Sequence, residues 1–420
     1  MKLYPFENIS RRKFLAASLL SPVACFAGSL RRDEIKERKS EMIANIERQI
    51  IWQGRSTGPT WFHPRACRIP ATPNPTILMT CQKITGSDVF HEVHWSVTKD
   101  KGKSWIDPEP IASLGRQNHP DGIAEGTCDV VPEYHQPTDT VLAIGHNVYY
   151  QNNVLIRAHS GRFPVYVVRD AEGRWSERKK LVWDHPETSG IYTCGCAQRI
   201  HLDDGKLILS LSFGPAERPD RGVCTVLCEF DGAQLRIIDS GNVLRLSVNR
   251  GLLEPSLTRY DGRFYMTIRA EDGHGYVSTS ENGLQWQAQR PWCWDDGEPL
   301  VMSTTQQHWL THSDGLFLVY TRKAEHNINV MRWRAPLYLA QVDPETLRLR
   351  RNTEKVVLPL IGDGINEPEH VARMGNFHVV DASQSESWVT VGETLPQAGW
   401  RGDTLLARIQ WKISNKLLKS

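Results

Sequence analysis

The sequence predicts an all-β chain folded as a six-bladed β-propeller of four-stranded antiparallel blades. Two observations carry that expectation. From about residue 58 onward the text is made of short strand-like runs separated by turn signals, with no convincing long helix. A turn-then-strand unit also recurs: Asp204-Gly205-Lys-Leu-Ile-Leu, Asp261-Gly262-Arg-Phe-Tyr-Met and Asp314-Gly315-Leu-Phe-Leu-Val stand at spacings of roughly 55 residues. Six units of that size fill the chain, and radial repetition protects sheet edges. Ring closure is expected to pair the C-terminal strand Thr404–Trp411 with the first blade.

The chain divides into three parts. Residues 1–27 read as an export signal: Ser10-Arg11-Arg12-Lys13-Phe14-Leu15 matches the twin-arginine pattern and precedes an apolar, small-residue run ending at Ala27. That run is too short for a permanent membrane span. Cleavage near Ala27 is expected, with Cys25 as an alternative lipid-bearing cysteine. The route delivers a folded protein to the periplasm or the exterior. Residues 28–57 are a charged linker; Ile35, Met42, Ile43, Ile46 and Ile50 suit a short amphipathic helix. Residues 58–420 form the propeller.

Within the propeller, Arg68–Trp105 makes the first blade, Val141–Gly145 with Tyr166–Trp175 the second, and Asn376–Trp411 the last. The three Asp-Gly units open the blades between them, and Asp-Gly and Asn282-Gly283 favour tight reversals. The turn Thr98-Lys-Asp100-Lys-Gly102-Lys-Ser-Trp105 has the spacing S/T-x-D-x-G-x-x-W. Thr279-Ser-Glu281-Asn-Gly283-Leu-Gln-Trp286 repeats it with Glu281 in the Asp place. In such a turn an acidic side chain caps backbone N–H groups, Gly takes a positive φ, and Trp anchors the loop.

A formal charge of +2 and the lack of basic runs exclude nucleic acid as the main partner. Fourteen Trp and eleven Tyr suit stacking on sugar rings as well as the anchoring of strands. Cys194-Gly-Cys196 and Cys224-x3-Cys228 lack the second pair a structural zinc site needs. Cys67 and Cys81 could face each other across the first hairpin, in a compartment that permits disulfides. No phosphate-binding glycine loop or nucleophile elbow is present, and no metal or cofactor is expected.

The S/T-x-D-x-G-x-x-W turn resembles the Asp-box of the sialidase superfamily, and further motifs extend the resemblance. Cys67-Arg68-Ile69-Pro70 is similar to the family's F/Y-R-I-P motif, which makes Arg68 the first carboxylate-binding arginine. Phe264-Tyr-Met-Thr-Ile-Arg269 is similar to its L-x-M-N-x-R strand, and Arg334-Ala-Pro-Leu337 to its R-x-x-L. The resemblance makes Asp88 the acid/base aspartate and Glu254, in Glu254-Pro255, the glutamate that polarises the nucleophile. Lys83 falls near a place often held by another arginine. Three guanidinium groups around one pocket are costly together unless an anion sits among them. A planar carboxylate accepts forked, charge-assisted bonds worth ~1.5–3 kcal/mol each. The resemblance therefore implies a terminal acidic sugar, sialic or uronic, as substrate of an exo-glycosidase; the protein is expected to be a monomer.

One departure bears on the reaction. The family's last blade supplies a tyrosine nucleophile, whereas Gly375-Asn376-Phe377-His378 puts Phe377 at that position, and a phenyl ring cannot attack. Three readings stay open. Hydrolysis is retained with Asp88 as acid/base and His378 or another tyrosine as replacement, or with Glu254 or Asp88 activating water. The protein is instead a hydrolase or lyase on uronic-acid polysaccharides, with His378, His308, His146, Tyr149 or Tyr192 taking a proton. Or it is a non-catalytic acidic-glycan-binding propeller.

Overall fold

The computed structural model describes residues 41–86, 88–157, 159, 161–187, 190–214 and 220–418. The export signal, Cys25 and the linker before residue 41 lie outside them. Met42 opens a compact unit that runs to the C-terminus. In it the chain forms six antiparallel sheets in ring order. The sheets comprise strands within 61–110, 117–180, 191–240, 253–291, 308–358, and finally 377–411 together with 43–52. This is the predicted six-bladed propeller. First strands of neighbouring blades pack against one another around the propeller axis, the channel of the ring, as those of blades one and two, four and five, and six and one do.

Turn chemistry fixes the hairpins. Tyr260 pairs directly with Arg263, so Asp261 (φ 49°) and Gly262 (φ 78°) make a two-residue turn whose left-handed backbone suits this dipeptide. At the turn 98–105, Asp100 accepts the backbone N–H groups of Lys103 and Ser104, each at 3.0 Å, and the Thr98 hydroxyl at 2.8 Å. Trp105 packs between Trp52 and Trp388. In the second such turn the expected register is off by one. Asn282 accepts the N–H groups of Leu284 and Gln285, while Glu281 points out to Arg263.

Apolar side chains fill the wedges between blades, and tryptophan N–H groups pin neighbouring sheets. Trp309 donates to the Ser256 carbonyl at 2.9 Å, and Trp286 to Thr225 at 2.8 Å. Trp292, Trp309 and Trp388 are fully buried, which makes them strand anchors rather than sugar platforms. The inner strand of blade three is broken into Ile191–Thr193 and Ile200–His201. Between them Gly195 lies so close to the His146 ring that a Cβ would crowd it.

Three expectations need correction. Ile43–Trp52 is a strand, not a helix or linker, so the propeller starts before residue 58. Its isoleucines at 43, 46 and 50 mimic a helical period, but Ile46 pairs with Ile409 and Ile50 with Leu405. Thr404–Trp411 therefore pairs with this N-terminal strand inside the last blade, not with the first blade. Finally, Cys67 faces Leu78 and Cys81 faces His94, and all eight described cysteines are free.

Candidate active site

Strand direction sorts the candidate residues onto two mouths of the channel. In each blade the first strand starts at one mouth, and its turn into the second strand lies at the other. The start mouth also collects the loops between second and third strands.

Blade four supplies the centre of the start mouth. Leu253–Tyr260 and Arg263–Arg269 pair with Leu253 opposite Arg269, and the register shifts between Leu253 and Ser256. Glu254 sits in that irregularity at φ 44°, where its carboxylate accepts a bond from the buried Arg269. Thr304 and Glu271 flank Arg269 at 3.2 and 3.7 Å. Arg250 forks onto Glu271, its Nε 3.0 and 3.1 Å from the two oxygens.

Blade five adds Arg334, just before the strand Leu337–Asp343. Its side chain lies across Gly375, where any Cβ would collide with it. Among the described residues its buried Nε has no hydrogen-bond partner. Burial, with Arg269 and Arg332 close by, pushes its pKa down to about 9, while Glu254 and Asp88 act in the opposite sense. Asp88, on the loop after Thr76–Ile84, reaches the same mouth. Tyr150 holds that loop by donating to the Asp88 carbonyl at 3.0 Å. The Asp88 carboxylate is 2.6 Å from Arg157 and acts electrostatically on Arg250, Arg332 and Arg334.

Deeper in the channel the fully buried Arg65 donates to Asp129, and His63 Nε2 lies 3.6 Å from the same carboxylate. Burial opposes ionisation of Asp129, yet His63, Arg65 and His146 hold its carboxyl well below the usual range. Cys128 Sγ stands 3.4 Å from His146 Nε2, so Cys128, Asp129 and His146 gather one donor atom each within 4.8 Å. Arg65 already occupies Asp129, and Arg162 adds positive charge beside His146. A cation fits that set poorly.

Two predicted residues do not join this mouth. Arg68 is opposite Ile77, beside the turn that closes the first hairpin, and lines a cavity of about 410 Å³ at the other mouth with Arg199, Arg259 and Asp381. Its R-I-P letters end the inner strand rather than begin it. The proline-rich turn Pro70 to Pro75 that follows is the sequence signal for that direction. His378 lines the same far cavity and is buried against His308, so it does not replace the nucleophile at the Glu254 mouth. Phe377 is fully buried.

The remaining proton-acceptor candidates are occupied or inert. Burial pushes His146 and His308 down to about 3, which makes them weak bases. Tyr192 donates to the Leu181 carbonyl at 3.0 Å, and Tyr149 stands 2.9 Å from the Asn147 amide. Sequence reasoning missed Arg65, Arg250, Glu271 and Arg332, which follow no motif of their own.

By fold the chain is a six-bladed β-propeller similar to those of solved sialidases. Among solved structures, Trypanosoma rangeli sialidase is similar at 13% identity and a TM-score of 0.60, covering 87% of this chain and 59% of that one. A Hadza microbial sialidase is similar at 12% identity and a TM-score of 0.58, covering 84% and 66%. A protein of unknown function from Dyadobacter fermentans reaches a TM-score of 0.61 at 12% identity, covering 88% of this chain and all of that one. The chain thus spans about three fifths of the length of the trypanosomal sialidase. No protein-family model and no curated protein matches the sequence.

Proposed function

We propose that the protein is an exported, sialidase-like exo-glycoside hydrolase that removes terminal carboxylate-bearing sugars, sialic or uronic, from glycans. One observation carries the reading. The Arg334 guanidinium lies over Gly375 with no ion-pair partner among the described residues, beside Arg269, with Glu254 and Asp88 at the same mouth. A half-buried guanidinium without a direct ion pair is costly, and a carboxylate ligand supplies that pair in forked geometry. One of the trypanosomal sialidase structures of the same fold is a complex with sialic acid.

With Phe377 in place of a tyrosine, the chemistry we favour is direct displacement by water. Glu254 accepts a proton from the attacking water, whose oxygen bonds to the anomeric carbon. The glycosidic C–O bond breaks, and Asp88 gives its proton to the leaving oxygen. Release of free sugar from sialylated and uronate-terminated glycans tests this, with Asp88→Ala and Glu254→Gln as controls. The expected result is release that falls at least about a hundredfold in either variant. Release that is unchanged in both sinks the assignment. A product absorbing as an unsaturated uronate would instead make the enzyme a lyase.

A specific observation favours a second reading. The Asp88 carboxylate is tied to Arg157 and 39% exposed, which suits a glycan-binding propeller without catalysis. Binding without any release would select it. Export has its own test, a reporter fused to residues 1–30. Loss of export when Arg11 and Arg12 are replaced by Lys supports the twin-arginine route, and continued export overturns it.

A further inference from the structure

The start mouth holds more positive charge than one carboxylate can answer. Arg269 has Glu254 and Arg250 has Glu271, but among the described residues the side chains of Arg162 and Arg221 make no ion pair and no hydrogen bond, and of the acids only the more distant Asp129 and Glu271 favour their charge. The Nε of each is buried and unpartnered. Both are fixed by their backbones. Tyr192 donates its N–H to the Arg162 carbonyl at 3.0 Å. Arg221 donates its N–H to the Arg250 carbonyl, and Leu252 donates to the Arg221 carbonyl, each at 3.0 Å. Gly251 lies against the Arg221 backbone so closely that no Cβ fits.

The placement repeats that of Arg334. Arg334-Ala335-Pro336-Leu337 leads into the third strand of blade five, and Arg162-Phe163-Pro164-Val165 leads into the third strand of blade two with the same R-x-P-aliphatic pattern. Arg221 stands just before Gly222–Phe230, the third strand of blade three. Burial is the main cause that disfavours the charge of Arg162 and Arg221; Arg250 adds to it at both and Arg162 adds to it at Arg221, and the pKa of each stays lowered although Asp129 and Glu271 act in the opposite sense. Such an arrangement is unfavourable without an anion.

We propose that Arg162 and Arg221 form a second anion subsite on the blade-two and blade-three side of the mouth, for a sulfate or phosphate ester on the acidic sugar. The preferred substrate is then doubly charged: its carboxylate goes to Arg269 and Arg334, and its ester group to Arg162 and Arg221. Arg162 and Arg221 precede the third strands of neighbouring blades, and two guanidinium forks can share the oxygens of one tetrahedral oxyanion. The inference rests on the acidic-sugar reading above.

Calorimetric titration of the intact protein separates the two claims. The probes are glucuronic acid and N-acetylneuraminic acid, each alone, with one sulfate ester, or with one phosphate ester. At least one ester is expected to bind roughly tenfold tighter than its parent. In Arg162→Gln/Arg221→Gln that advantage is expected to shrink below about twofold, and in the double Lys variant to survive in part. Single substitutions serve if the double variant melts early. Whether sulfate or phosphate gives the larger gain identifies the ester. If the parents bind but no ester binds better, or if the advantage survives in the Gln variants, the subsite is wrong. If neither parents nor esters bind, the acidic-sugar reading fails and this inference fails with it.

Discussion

Arg334 depends on a residue that has no side chain. Gly375 leaves the space in which the guanidinium lies, so Gly375→Ala should displace Arg334 while leaving the blade intact. The expected outcome is binding of an acidic sugar weakened about tenfold or more, with little change in melting temperature. Arg334→Gln should weaken binding similarly without lowering the melting temperature, because it removes a half-buried charge whose Nε has no hydrogen-bond partner among the described residues. A large drop in stability in that variant would show that Arg334 is structural. At the far mouth, burial raises Asp381 to about 6 against the Ser387 hydroxyl bond and Arg68, which favour its charge. Between its unfolded and folded values the native state holds the extra proton, so this group's contribution to stability falls as pH rises from about 4 to 6. Asp381→Asn should therefore gain on wild type across that window, by roughly 2–3 kcal/mol at most. Melts at pH 4 and pH 7 check the sign. Legibility at this scale followed local spacing. Glu254 and Arg269 sit at the two ends of one hairpin, whose turn the Asp261-Gly262 letters mark. Arg68 was misread because a four-letter match carries no strand direction, and Arg250 and Arg332 depend on blade contacts that no short window contains.

Among the elements, the turn 98–105 links the first blade to the last. Gly102 has φ 75°, and a Cβ on it would come within 2.8 Å of the Trp388 ring and 2.9 Å of Arg408. Gly102→Ala is expected to cost about 2 kcal/mol or more, from the left-handed backbone plus that clash. Gly122→Ala has φ 79° but no atom within 4 Å, so only the backbone cost of about 1 kcal/mol is expected there. Urea unfolding of both variants checks the difference. These turns were readable because a Gly with positive φ and a capping side chain leave a fixed spacing. The strand Ile43–Trp52 was not, since three isoleucines and scattered charge fit a helix as well as an outer strand with one face open to water. Only its pairing with Thr404–Trp411, more than 350 residues away by register, decides between them.

At the scale of the whole molecule, that pairing closes the ring. Arg48 adds two bonds to blade five, to the Val356 and Val357 carbonyls at 2.6 and 2.7 Å. A chain beginning at residue 58 should lose its cooperative melt or aggregate through the bared edge of Thr404–Trp411, whereas one beginning at residue 42 should keep a single transition. Equal melts for the two would contradict closure by the N-terminal strand. The six-fold repeat made the architecture legible from turn spacing alone, but which mouth holds chemistry follows from strand direction, and that emerges only in three dimensions. The proposed grip of the start mouth on a sugar carboxylate runs through Arg269 and Arg334. The most direct measurement is calorimetric titration of the intact protein with N-acetylneuraminic acid, glucuronic acid and their methyl esters. At least one acid is expected to bind, its methyl ester roughly tenfold or more weakly, and Arg334→Gln is expected to remove the difference. Ester and acid binding equally well, or a preference for the acid that survives Arg334→Gln, would contradict that grip.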